Sequence, residues 1–162
     1  MTVDKHRVVA ALRQRVAEKQ AALTESQRAT QAGATHPEAR PEHAKDTRAT
    51  EASYLARGLA QRVDELAREA VLLETLVPRA FAEDEPVAVG ALVQLEDTQG
   101  GCSWAFVAPG GGGERLSVQG TAIRAVTPGS PLGRALMGRE MGDEVAVRLP
   151  GGVQTWTVSR VC

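Results

Sequence analysis

The sequence predicts an α+β chain in which an N-terminal antiparallel two-helix coiled coil precedes a small antiparallel β domain with one short helix. Three observations carry that reading. Apolar residues recur at helical spacing through the first half, a stretch with one glycine and two prolines interrupts them at 33–42, and beyond Pro86 the spacing falls to two. The expected organisation is a helical hairpin over 1–78 with its tip at about 33–51, a connection over 79–86, and the β domain over 87–162.

The first helix is read from Val8/Val9, Leu12, Val16 and Leu23, a narrow stripe among Arg13, Arg15, Glu18, Lys19 and Glu25. At about 25 residues it would be on the order of 35–40 Å long. Gly33, Pro37 and Pro41 cannot continue a regular helix, so the chain reverses there. The second helix is read from Leu55, Leu59, Val63, Leu66, Ala70, Leu73 and Val77, whose steps of three and four match an a/d seam, and Pro78 is expected to end it. A two-helix seam of this length buries little, which suits reach better than stability.

Phe81 to Pro86 forms a short acidic connection. Strands are then expected at 87–89, 91–96, 103–107 and 123–126, each bounded by glycine or proline. Gly110 to Gly113 reads as a flexible hairpin loop, since neither the Lys-Ser/Thr pair nor the helix that a phosphate-binding loop needs follows it. Ser130-Pro131 should cap a one- or two-turn helix over 132–137. Val145 to Leu149 and Val153 to Val158 pair across Pro150-Gly151-Gly152 as a closing hairpin.

Composition narrows the function. A formal net charge of −1 from 19 basic and 20 acidic residues gives no field that would hold the chain on nucleic acid by itself, so a protein partner is expected. The apolar run at 71–77 is far too short to span a bilayer, and the first ten residues lack the apolar core of a signal peptide. Cys102 and Cys162 have no metal-ligand spacing, and they imply a reducing, cytoplasmic location.

Four stretches of the β half resemble a known family. Val89-Gly90-Ala91-Leu92-Val93, the segment Ser130-Pro131-Leu132-Gly133-Arg134-Ala135-Leu136-Met137-Gly138, Gly142-Asp143-Glu144-Val145 and Pro150-Gly151-Gly152 resemble the C-terminal domain of the GreA/GreB transcript-cleavage factors of bacterial RNA polymerase. The resemblance implies a C-terminal domain like that of the FK506-binding proteins. It also implies a coiled coil that enters the polymerase secondary channel and a docking turn at Ser130, Pro131 and Leu132. The factor would be an accessory protein without turnover of its own, monomeric, off the membrane, and in touch with nucleic acid only through the polymerase complex. The implied activity is rescue of backtracked complexes by stimulated transcript cleavage, with Mg2+ shared with the polymerase and no metal of its own.

The family's cleavage motif has the form G-D-[LI]-x-E-N-A-E-Y, and the matching stretch here runs from Lys45 to Tyr54. Aligned on Ala52 and Tyr54, the acidic positions hold Thr47, Thr50 and Ser53, while Asp46 and Glu51 each lie one residue away. A helix turns about 100° per residue, so that shift re-aims a carboxylate by most of a right angle. Glu42 and Asp46 stand at i and i+4 and would share a face if the second helix begins near Pro41. Asp46, Glu51 and Glu42 are therefore the candidate tip carboxylates, and a channel-occupying regulator without cleavage stands as the alternative.

His36, His43, Glu38, Glu42 and Asp46 combine imidazole and carboxylate donors, although their spacing fits no recurring zinc pattern. His6 is expected to be solvated. Proline isomerisation, which the fold raises, needs an aromatic-lined pocket that Trp104, Phe106 and Trp156 are too few to build.

Overall fold

The computed structural model describes residues 3–34, 47–82 and 84–162. Helix α1 spans Lys5–Ala34 and helix α2 spans Thr47–Glu74, and together they form the N-terminal helical hairpin. Asp4 opens α1 by accepting a hydrogen bond from the His6 backbone N–H at 2.9 Å, while its carbonyl accepts from Val8 N. This satisfies one of the donors that every helix start leaves unpaired. At 30 residues α1 exceeds the length expected from sequence, and within it Thr24 and Thr30 donate their hydroxyls to Gln20 O and Ser26 O.

The covered stripe of α2 runs through Ala52, Ala56, Leu59, Val63, Leu66, Ala70 and Leu73, an unbroken alternation of four and three. Two expected seam residues lie off it. Leu55 is 59% exposed and Val77 78% exposed, because small alanines at 52 and 56 hold the seam positions and the helix has ended before 77. Among the described residues of α2 only Leu66 and Leu73 are fully buried, and on α1 burial stops at Val16.

α2 ends at Glu74, earlier than Val77 where the sequence pattern carried it, and its end is capped from another helix. Arg13 of α1 donates from Nε to Leu73 O at 3.0 Å and from Nη2 to Glu74 O and Leu76 O at 3.1 and 3.2 Å. A guanidinium thus takes three carbonyls that the helix end would leave orphaned, at the pole where a cation is favoured.

Two compact units emerge: Val16–Arg68 forms one, and Met1–Arg15 with Glu69–Cys162 the other. The division falls within the helices, and the 79–86 connection lies inside the larger unit. Phe81 belongs to that unit's apolar core, with the Lys5 amine and the Arg79 guanidinium over its ring at 4.6 and 3.7 Å. Lys5 also donates to the carbonyl of Arg79, and its partial burial holds its amine below the usual lysine range.

The larger unit is built on a six-stranded sheet of order β3-β4-β2-β1-β6-β5. The strands are β1 (Leu92–Asp97), β2 (Cys102–Val107), β3 (Arg115–Val118), β4 (Thr121–Val126), β5 (Glu144–Leu149) and β6 (Gly152–Val161). Helix α3, Pro131–Leu136, lies between β4 and β5 in sequence. One face of the sheet presents Val93, Leu95, Ala105, Val107, Val126, Val145 and Val158 to Leu136 of α3. The other face carries Leu92, Phe106, Leu116, Ile123 and Ala125, also buried, and the buried helix ends with Val8, Val9, Leu12 and Leu73 belong to the same unit.

Three expectations about the strands need correction. The sheet is mixed, since β2 and β4 pair in parallel while every other pair is antiparallel. Consequently the Gly110–Gly113 loop is no hairpin: it crosses from β2 past β4 to the edge strand β3. Gly110 and Gly111 are buried, Gly110 against the backbone of Glu69, whose carboxylate accepts from Gly111 N at 2.7 Å. The β3–β4 hairpin went unread because its turn is Gln119-Gly120, both at positive φ, with a glutamine where asparagine would have signalled it. Finally, residues 87–89 form no strand, as Val87 instead exchanges hydrogen bonds with Gly138 and Arg139 beyond α3.

Candidate functional site

The turn entering α3 is built around one hydroxyl. Ser130, extended at φ −71 and ψ 156, accepts from Gly133 N through Oγ at 3.1 Å and donates from Oγ to Thr127 O at 2.8 Å. Its backbone N–H reaches the same carbonyl at 2.9 Å. Pro131 occupies the first helical turn, where its missing N–H costs nothing. The stretch folds this way because each residue's local preference agrees with its neighbours'.

Gly133 is required by space. A Cβ there would stand 2.7 Å from the Thr127 carbonyl carbon and closer still to its oxygen. Leu136 is fully buried, and Leu132 is half-buried against the same core cluster. Pro131 and Arg134 face solvent, as do Met137 and, just beyond, Met141. The three residues expected at the docking turn therefore divide in role. The Ser130 hydroxyl is committed within the turn, Leu132 anchors it to the core, and Pro131 presents an apolar surface outward.

At the other end of the sequence-derived site, Glu51 lies early in α2 and is exposed, with no ion pair or hydrogen bond among the described residues. Tyr54 and Leu55, at i+3 and i+4, share its outward side and are 69% and 59% exposed. Asp46 and Glu42 lie outside the described residues, as do His36, Glu38 and His43. Among the described residues no group of three His, Cys, Asp or Glu side chains is placed to hold a metal ion. His6 is exposed beside Asp4, with Nδ1 3.7 Å from its carboxylate. Cys102 is exposed and Cys162 half-buried, both as free thiols. No described helix is long and apolar enough to cross a membrane.

Comparison with known proteins bears on this turn directly. The family model described as "Transcription elongation factor, GreA/GreB, C-term" matches residues 117–162, which contain the whole capped segment. The C-terminal part of the chain is thus similar to the C-terminal domain of the GreA/GreB factors. Transcription elongation factor GreA of Nautilia profundicola is 54% identical over 33 residues, 20% of each chain. GreA of Polaromonas naphthalenivorans is 28% identical over 100 residues, covering 62% of this chain and 60% of that protein. These matches span between one fifth and three fifths of the relatives' own length. Among solved structures, GreA factor homolog 1 (Gfh1) of Thermus thermophilus is 20% identical and covers 94% of this chain and 95% of its own, at a TM-score of 0.40.

The matched residues supply the turn, α3 and the closing hairpin, while Glu51 lies outside them. Two features that sequence reasoning missed belong to the same unit: the Arg13 cap on α2, and the seating of Gly111 on Glu69. Arg13 was visible only as a polar residue beside the α1 stripe, and no local pattern ties it to a helix end some sixty residues away.

Proposed function

We propose that this chain is a Gre-type transcription elongation factor that binds bacterial RNA polymerase at its secondary channel and rescues backtracked complexes by stimulating transcript cleavage. The observation that carries the reading is the family-matched C-terminal domain, with its rigidly capped Ser130-Pro131-Leu132 turn, following an N-terminal helical hairpin. The curated relatives bear the name transcription elongation factor GreA.

In this reading the turn offers Pro131 to the polymerase while Ser130 and Gly133 hold its shape, and the helical hairpin carries Glu51, with Asp46 and Glu42, toward the active centre. A Mg2+ ion shared with the polymerase would activate water for phosphodiester hydrolysis. Glu51 suits a hard cation, being a solvent-facing carboxylate that no neighbouring cation holds among the described residues. The protein has no turnover of its own.

The experiment uses stalled polymerase complexes carrying a labelled transcript. Shortening from the 3′ end in Mg2+ on addition of the protein is the expected result, with Asp46→Ala and Glu51→Ala losing cleavage while retaining binding. Binding without shortening would replace cleavage by channel occupancy, and absence of binding would end the proposal.

A further inference from the structure

The α3 side of the sheet holds a hollow of about 260 Å³ that the docking turn touches only through Leu132. Its origin lies in strand register. Ser103 and Ala105 on β2 and Ala122 on β4 place small side chains in a row where larger ones would fill the space. Leu95, Leu132 and Trp156 wall one side of that row. The other side is Arg115 on β3 and Arg124 on β4, which are direct cross-strand partners and so stand on the same face.

That arginine pair is the informative feature. Like charges directly opposite on antiparallel strands oppose folding, and such pairs are ordinarily relieved by a carboxylate nearby. Both residues are exposed, and neither forms an ion pair among the described residues. Two guanidinium forks side by side at the lip of an apolar hollow match the planar, bidentate geometry of carboxylates.

The hollow also continues sideways. Gln154 and Trp156 line a second, polar hollow of about 380 Å³ together with Asp97, Thr98, Gln99 and Thr155. Cationic lip, apolar well, tryptophan and amide-rich groove thus follow one another across the sheet. A compact anion would use only the first of these, whereas an extended chain would use all four.

We propose that this face is a binding site for an acidic peptide in extended conformation. An apolar or aromatic side chain fills the well against Leu95, Leu132 and Trp156, adjacent Asp or Glu residues engage Arg115 and Arg124, and the peptide backbone continues over Gln154. The site shares only Leu132 with the docking turn and nothing with the tip carboxylates, and its test needs no polymerase, so it stands or falls apart from the polymerase reading.

The test titrates the full chain with an acetylated, amidated hexapeptide carrying a phenylalanine followed by two glutamates, read by tryptophan fluorescence and by amide chemical shifts. Saturable binding with a dissociation constant on the order of 0.1–1 mM is expected, weakening with added salt. The shifts should centre on Ala122, Arg124, Gln154 and Trp156. Arg115→Glu and Arg124→Glu should each weaken binding at least fivefold, and replacing the peptide's glutamates by glutamines should do the same. Both arginines are exposed, so the variants should keep the wild-type circular dichroism spectrum. Absence of saturation, equal binding of the glutamine peptide, or shifts centred elsewhere would overturn the proposal. So would inorganic phosphate binding as tightly as the peptide, since the apolar well would then contribute nothing.

Discussion

Gly133→Ala is the sharpest perturbation of the capped turn, because the nearest atoms the new methyl meets are the backbone carbonyl of Thr127. The new methyl would sit 2.7 Å from the Thr127 carbonyl carbon and 3.0 Å from Ser130 Oγ, where ordinary carbon contacts begin near 3.4 Å. Thr127 O cannot simply withdraw, since it accepts from both the backbone and the hydroxyl of Ser130. Relief requires moving α3 away from the turn, which loosens Leu136 from the core and lengthens the Ser130 cap. Overpacking at such a site costs about 1–3 kcal/mol, and loss of a serine cap adds about 1 kcal/mol. The expected destabilisation is therefore roughly 2–4 kcal/mol. Urea unfolding followed by the fluorescence of Trp104 and Trp156, both in the β unit, measures it. Gly129→Ala is the control: nothing lies within 4 Å of its Cβ position, so it should stay within about 0.5 kcal/mol of wild type. Equal stability of the two variants would refute the steric reasoning.

Three further outcomes follow from other parts of the chain. Arg13→Met should destabilise the end of α2 by roughly 1–3 kcal/mol, seen as faster amide hydrogen exchange at 71–76, and unchanged exchange would mean the carbonyls are satisfied otherwise. Leu66→Ala should cost about 2–4 kcal/mol while Leu55→Ala costs under about 0.5 kcal/mol, by helical circular dichroism on urea titration; the reverse order would place the seam on the wrong side of α2. The hydrogen bond from Arg79, at 2.5 Å in the ion pair, is the main cause holding the Glu85 carboxyl below its ordinary 4.5. A carboxyl held low when folded contributes stability above pH 4.5 that disappears as pH falls through its folded value. Glu85→Gln should therefore melt below wild type at neutral pH, with the gap closing under acid, and a gap constant with pH would remove the pair from the account.

Legibility tracked how local each cause is. Helix α3 could be read because a cap, a proline at the first turn and a glycine at the close approach all lie within four residues. The closing hairpin likewise announces itself through Pro150-Gly151, and Leu149 does pair with Gly152. The α2 seam was read correctly from Leu59 to Leu73 and incorrectly at both ends. At the start, alanines at 52 and 56 carry too little apolar signal to compete with Leu55. At the finish, α2 ends at Glu74, where an arginine on another helix caps its carbonyls, so Val77 never joins the seam.

The parallel pairing of β2 with β4 was beyond local reading for a related reason. Four glycines between two apolar runs look like a hairpin, and only the burial of Gly110 and Gly111 on Glu69 shows that the loop is fixed across the sheet instead. That one crossover also determines the α3 face. Pairing β2 with β4 in parallel sets Arg124 beside Ala105, and pairing β3 on β4's far side sets Arg115 opposite Arg124. Had β2 and β3 formed the hairpin that the glycines suggest, Ala105 and Arg124 would not be neighbours and the row of small residues would not run from β2 onto β4 beside the arginine pair. The charged lip of the hollow is thus a consequence of topology rather than of any motif, which is why the capped turn could be found from its residues and the hollow beside it could not.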